Sequence, residues 1–225
     1  MHKPLAIFDI DGTIFRSSLM LELLRGLVKH RIMPEDALRE IDGHYQAWLN
    51  RQGGYLNFKD AFVETYMKRA PGLCEDDVRR VSHLVVEEQK NRVYVYARAL
   101  IQELKATHTL VAISGSPAEI VEEFQKHLGF DYAFGSVYEV KDSRYTGTVW
   151  GMANENKIKK LNELLVQNGF SLHESVGVGD TESDIYFLSE VDNPIAFNPN
   201  RELYDHARQH GWKIVVERKD VIYEL

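Results

Sequence analysis

The sequence predicts an α/β protein, a three-layer core around a parallel sheet with an all-helical segment inserted into it. Three observations carry that expectation. "KPLAIFDI" is a short apolar run of strand formers that leads into two aspartates one residue apart. Residues from about 19 to 106 then show helical spacing without a convincing strand. Beyond them, short apolar runs alternate with helix-length segments, the pattern of βαβ units. The expected division is a core of residues 1–15 and 95–225 and a helical cap of residues 16–94.

Each element has its own signal. In "LMLELLRGLVKH" the apolar positions Leu19, Leu23, Leu24, Leu27 and Val28 fall at helical spacing. "MPEDALREIDGHYQAWLN" opens with Pro34 near a helix start and acids in the first turn. "NFKDAFVETYMKRAPG" stops at Pro71-Gly72. "EDDVRRVSHLVVEEQKNRVYVYARALIQELKA" reads as one long or broken helical stretch. "HTLVAIS" is a strand, and "SPAEIVEEFQKHLG" a helix with Ser116 as N-cap and Pro117 at its first position. "FDYAFGSVYEVKDSRYTGTVW" gives two short strands joined by a polar turn. "NENKIKKLNELLVQNG" is a helix, "ESVGVGD" a strand and "TESDIYFLSEV" a helix. "NPIAFNPN" and "WKIVV" are later strands, separated by the helix "RELYDHARQHG".

Composition bounds the class. The chain has 225 residues, 44% hydrophobic and 27% charged, enough for a well-buried core. A formal charge of −7 argues against a nucleic-acid partner, although a local cation reverses the sign of a site. The single cysteine, Cys74, excludes an internal disulfide, and a reduced, cytoplasmic setting is expected. No run of about 18 apolar residues occurs, so no membrane partner is expected, and "MHKPLAIFDID" lacks the apolar region of a signal peptide.

In open α/β sheets, ligands bind beyond the carboxyl ends of the strands. Residues 9–13, 114–116 and 179–184 end predicted strands there and meet in one crevice if those strands are neighbours. On an extended chain residues i and i+2 share a face, so Asp9 and Asp11 both point into it. Gly12 permits the turn and Thr13 can bond back to it. An Asp-Gly turn is the plainer reading of "DG", yet two unpaired like charges at a strand end are costly without a task. Asp180 and Asp184 stand four residues apart, where helix capping and the macrodipole are the plainer reading. Together the four carboxylates call for a hard divalent cation, and an all-oxygen donor set suits Mg²⁺. "SGSP" is either a capped helix or an anion cradle, with the Ser114 hydroxyl, close backbone approach at Gly115 and free N–H groups beyond. "NKIKK" sets Lys157, Lys159 and Lys160 near a helix start, a position that disfavours a cation unless one of them meets the acidic cluster.

Taken in order, "FDIDGT", "SGS", "NK" and "GDTESD" resemble the four motifs of the haloacid dehalogenase (HAD) superfamily, and the resemblance covers nearly the whole chain. "DYAFGS", "YTGTVWG" and "IAFNPNREL…HGW" are similar to its phosphoserine phosphatase-like subgroup. The resemblance implies a HAD-like Rossmannoid core with a C1-type helical cap. It also implies a Mg²⁺-dependent phosphatase that works through an aspartyl-phosphate on a small-molecule phosphate ester, as a monomer or homodimer. Asp9 would be the nucleophile and Asp11 the acid that protonates the leaving oxygen and then activates water. Asp11, Gly12, Ser114, Gly115 and Lys157 would bind the phosphoryl group, and Thr13 would position the first loop. Asp9, Asp11, Asp180 and Asp184 would hold the metal.

The leaving group is less legible. Phosphoserine-specific relatives are expected to carry a glutamate shortly after the first motif and an arginine on a cap helix. Here those positions read Ser18 and Val63, with Glu22 one turn further along and Arg51, Lys59 and Arg69 as possible substitutes. Phosphoserine itself is therefore not favoured, with a true L-phosphoserine phosphatase as the alternative. Aromatic residues at Tyr45, Trp48, Tyr55, Phe58, Phe62 and Tyr66 read either as helix packing or as a pocket for an apolar, aromatic or quaternary-ammonium alcohol. A mutase on the same core, and a phospho-acceptor module without turnover, are the competing classes.

Overall fold

The computed structural model describes residues 3–150 and 153–225, with backbone alone for 153–158. Eight strands form one sheet in the order β4-β3-β2-β1-β5-β6-β7-β8. β1 (Leu5–Asp9) lies between β2 (Thr109–Pro117) and β5 (Val176–Gly179), parallel to both. β3 (Tyr132–Lys141), β6 (Asn193–Phe197) and β7 (Lys213–Arg218) continue the parallel set. β4 (Arg144–Trp150) and β8 (Val221–Glu224) close the two edges antiparallel.

The layers follow from the pleat. Ala6 and Phe8 belong to one apolar cluster, Leu5 and Ile7 to another on the opposite face, and β2 splits its residues the same way. With both faces covered, β1 is buried at every position, which is why it reads as an unbroken apolar run. α7 (Ala153–Asn168), α8 (Ile185–Leu188) and α9 (Arg201–His210) cover one face. α5 (Val95–Leu104) and α6 (Ala118–Leu128) cover the other. There the apolar cluster runs on without a break into α1 (Leu19–Lys29), α2 (Asp36–Leu49), α3 (Tyr55–Arg69) and α4 (Glu75–Gln89).

The segments that lead into and out of these four helices lie side by side. Arg16 N–H donates to the Arg92 carbonyl at 3.0 Å, and Tyr94 N–H to the Ile14 carbonyl at 2.9 Å. That pairing breaks the long helical stretch read from the sequence into α4 and α5, because Val93 is drawn into a bridge with Phe15.

Two further readings change. Ser116 is not the N-cap of α6: the strand runs on to Pro117, which takes that place, and the Ser116 hydroxyl bonds Asp11 instead. "TESDIYFLSEV" forms only a 3-10 turn, Glu182–Asp184, followed by the four residues of α8. The exposed strand β8 carries no signal strong enough to have been read in advance.

Candidate active site

Three chain ends converge at the carboxyl edge of the sheet. Asp9 closes β1 opposite Ile113 of β2, and Asp180 follows Gly179 directly at the end of β5. The third is a bulge in β2. Ile113 pairs with Phe134 and Pro117 with Ser136, so four steps along β2 match two along β3. The stretch Ser114–Ser116, two residues longer than its counterpart on β3, swells out toward Asp11. Ser136 locks the bulge by donating its hydroxyl to the Gly115 carbonyl at 2.8 Å.

Asp9, Asp180 and Asp184 each offer a carboxylate oxygen, and the three oxygens lie within 4.8 Å of one another. Asp9 is 4% exposed and Asp184 fully buried. Asp184 is aimed by its own turn, its Oδ2 accepting the Asp180 and Thr181 N–H groups at 3.0 Å each. Two glycines make the approach possible. A Cβ on Gly12, which has φ +90°, would lie 2.1 Å from Asp180 Oδ2, and one on Gly179 would lie 2.5 Å from Asp184 Cβ. Like charges packed this tightly in a half-buried site repel strongly, and a divalent cation relieves them. The all-oxygen donor set fits Mg²⁺.

Asp11 is turned away from that trio. Its Oδ2 accepts the hydroxyls of Ser114 and Ser116, the latter at 2.9 Å, and its Oδ1 accepts the Leu19 N–H at the start of α1. The side chain expected among the metal ligands is thus engaged on the other side, because the bulge and the first turn of α1 supply three donors there. Ser114 Oγ also accepts the Ser116 N–H, and Ser116 Oγ the Met20 N–H, each at 2.9 Å. Thr13 is fully buried beneath the first loop, and its hydroxyl has no hydrogen-bond partner among the described residues. Lys157 sits in the first turns of α7, but its side chain lies outside the described residues.

The cavity over these groups is walled by α3. Tyr55, Lys59, Phe62, Val63 and Met67 fall on one helix face and meet Met20, Ser18, Ser136 and Tyr138 across it. The opposite face of α3 packs on α2, where Phe58 stacks on Trp48 at 5.7 Å and meets Tyr45 at 5.1 Å. Of the six aromatics read as packing or pocket, Tyr55 and Phe62 therefore line the cavity, and Tyr45, Trp48 and Phe58 form the α2–α3 seam. Tyr66 is buried against Tyr138. Burial, then the charges of Asp180, Asp11 and Asp9, push the Tyr55 phenol upward. Burial does the same to Tyr94, against the opposing charge of Arg16 and with Asp180 adding a smaller push upward. Tyr55 thus faces the negative field of the carboxylates, and Tyr94 lies between that field and Arg16.

Ser18 and Val63 both line the cavity, and Lys59 is the one cationic residue among its described lining residues. Arg69 is engaged by Asp36 and Glu40, and Arg51 is exposed. Glu22 is 4% exposed and bonded by Ser17, Arg25, Gln89 and Arg92, and it does not line this cavity. The sequence does not single out Ser136, Met20, Met67 or Tyr138, and it offers Ser116 only as a cap and as part of the 114–116 segment. Their only signal is position, and position depends on how β3 and α1 pack over the bulge.

Residues 6–189 match the haloacid dehalogenase-like hydrolase family. A phosphoserine phosphatase of Mycobacterium tuberculosis is 26% identical over 219 residues, covering 93% of this chain and 69% of that protein. A histidinol-phosphatase of Neisseria meningitidis is 27% identical over 223 residues, covering 95% and 98%. Among solved structures, a protein of unknown function from Bordetella pertussis superposes with a TM-score of 0.75 at 20% identity, over 95% of this chain and 98% of its own. A phospho-aspartyl intermediate analogue of phosphoserine phosphatase gives 0.63 at 23%, over 98% and 96%. The two acidic loops, the serine bulge and the helices inserted after β1 thus sit in a shared fold, and the chain belongs to the haloacid dehalogenase-like hydrolases as a phosphatase of the phosphoserine phosphatase-like type.

Proposed function

We propose that the protein hydrolyses a small phosphomonoester through an aspartyl-phosphate on Asp9, with Mg²⁺ as cofactor and a leaving alcohol other than serine. The observation that carries the reading is the division of labour between two neighbouring carboxylates. Asp9 joins Asp180 and Asp184, while Asp11 is held apart by Ser114, Ser116 and the Leu19 N–H.

Asp9 attacks phosphorus in line, and the ester oxygen leaves with a proton from Asp11. Asp11 then takes a proton from water as that water opens the aspartyl-phosphate, so one carboxyl serves as acid and as base in turn. The Ser114 hydroxyl, the N–H groups of the Asp11 and Gly115 loops and Lys157 receive the charge that develops on the equatorial oxygens. Mg²⁺, held by Asp9, Asp180 and Asp184, would neutralise phosphoryl charge when bound. Residues 16–94 form the cap, and α3 supplies the wall that excludes water.

The leaving-group reading follows from the wall. Phe62, Val63, Met67, Met20 and Tyr138 offer apolar surface, and Lys59 offers one charge. Phosphoserine would bring an ammonium as well as a carboxylate, and Glu22 is already engaged by two arginines. Lys59 keeps L-phosphoserine as the second reading, since it can meet the carboxylate. The test is hydrolysis of phenyl phosphate by wild type and Asp9→Asn, each with Mg²⁺ and with EDTA, followed by phosphoserine and histidinol phosphate. Activity that needs both Asp9 and Mg²⁺ supports the reading. Activity that survives both changes overturns it, and a preference for phosphoserine overturns the leaving-group part.

A further inference from the structure

A second cavity opens on the far side of Tyr55, sharing only Ser18, Tyr55, Asp180 and Thr181 with the first. Its chemistry is different. Arg16, Arg25 and Arg92 line it, and among its described lining residues the acids are Glu22 and Asp180, the latter already in the carboxylate trio. Three guanidiniums therefore face one remaining carboxylate. They are also held in place. Buried Glu22 accepts from Arg25 at 3.0 Å and Arg92 at 3.3 Å. Arg16 lies 5.4 Å over the Tyr94 ring, and Arg25 5.7 Å over the Tyr45 ring. A guanidinium fixed by a ring or a single carboxylate oxygen keeps most of its five donors for a ligand.

In a protein of net charge −7, pairing with Glu22 still leaves this cavity with more guanidiniums than carboxylates, beside an acidic centre. We infer that this cavity is an oxyanion subsite, which takes a carboxylate or phosphate carried at the far end of the substrate while its phosphoryl group lies at Asp9. The inference rests on the phosphomonoester reading above. Its ligand class is a phosphate ester bearing a second negative group, a dianionic head with an anionic tail that passes between Tyr55 and Ser18. Free inorganic phosphate has the same chemistry and is the other source of such an anion.

The test compares 4-carboxyphenyl phosphate with phenyl phosphate in wild type, Arg16→Gln and Arg16→Gln/Arg92→Gln. Wild type is expected to favour the carboxylated ester in kcat/KM. The double variant lowers that preference by about tenfold or more, the loss expected when charge-assisted contacts go. Arg16 is exposed and makes no salt bridge among the described residues, so Arg16→Gln carries the comparison without stripping Glu22. If the ester preference stays while inhibition by inorganic phosphate weakens in the double variant, the substrate-tail inference is overturned and the cavity takes free phosphate instead. If neither changes, the inference is overturned. Failure of wild type to hydrolyse phenyl phosphate sinks the phosphatase reading instead. Titration calorimetry of the same compounds, with EDTA present, then decides the subsite without turnover.

Discussion

Replacing Gly12 by alanine probes the acidic loop at its tightest point. The backbone there has φ +90°, and a Cβ would stand 2.1 Å from Asp180 Oδ2. Two costs follow. A residue with a Cβ in left-handed backbone loses about 1–2 kcal/mol, which for a chain of this size lowers Tm by roughly 2–8 °C. The carboxylate must also retreat from 2.1 Å to the 3.4 Å at which ordinary contact begins, a shift of about 1.3 Å. Ligand distances in a metal site are good to about ±0.2 Å, so Asp180 leaves the trio. The expected result is a Tm drop in that range with EDTA present, and a rise of about tenfold or more in the Mg²⁺ concentration that half-saturates phenyl phosphate hydrolysis. Gly43→Ala is the control. Gly43 lies within α2 with nothing within 4 Å of its added Cβ, and it is expected to gain about 0.5–1 kcal/mol. A Gly12→Ala protein with wild-type Tm and an unchanged Mg²⁺ requirement would refute the geometry on which the metal reading stands.

Three other perturbations test separate parts of the molecule. Burial pushes the Glu119 carboxyl above its ordinary value of 4.5. A raised folded-state pKa means stability present below that value and lost as pH climbs through the higher one. Glu119→Gln is therefore expected to flatten the decline in urea midpoint above about pH 4.5, and an unchanged slope would count against it. Gly26 lets α1 approach α4 closely, since its Cβ would meet Val85 Cγ2 at 2.4 Å. Gly26→Ala is expected to cost about 1–3 kcal/mol in chemical denaturation, with Val85→Ala in the same chain recovering part of it. Ser18→Glu/Val63→Arg places one charge of each sign on the cavity wall. It is expected to raise kcat/KM for phosphoserine relative to phenyl phosphate by about tenfold or more, and no gain would mean that these two positions do not read the alcohol.

Much of the molecule is legible along the chain because it depends on local chemistry. A short run such as "LAIF", rich in strand formers and without a polar residue, fits a strand buried on both faces, and β1 is that strand. The spacing of Asp9, Asp11, Asp180 and Asp184 marks them out because like charges at strand ends are costly without a purpose. Helix against strand was readable nearly everywhere, since periods of 3.6 and 2 differ within a few residues.

What the tertiary structure decided concerns groups far apart in sequence. The sequence placed Asp11 with the other aspartates, but a bulge in β2 and the start of α1 present three donors to it, and its carboxylate turns to them. Ser116 looked like a helix cap because that is its local option, and a longer β2 with a nearer acceptor overrode it. Glu22 looked available for a ligand until Arg25 and Arg92, three and seventy positions away, closed on it. The same holds for the arginine-lined cavity beyond Tyr55, whose three cations come from positions 16, 25 and 92. Periodicity and like-charge spacing act over a few residues, so they are written in the chain. Which donor meets which acceptor depends on the packing of α1 and α3 over the sheet, and only the folded molecule sets it.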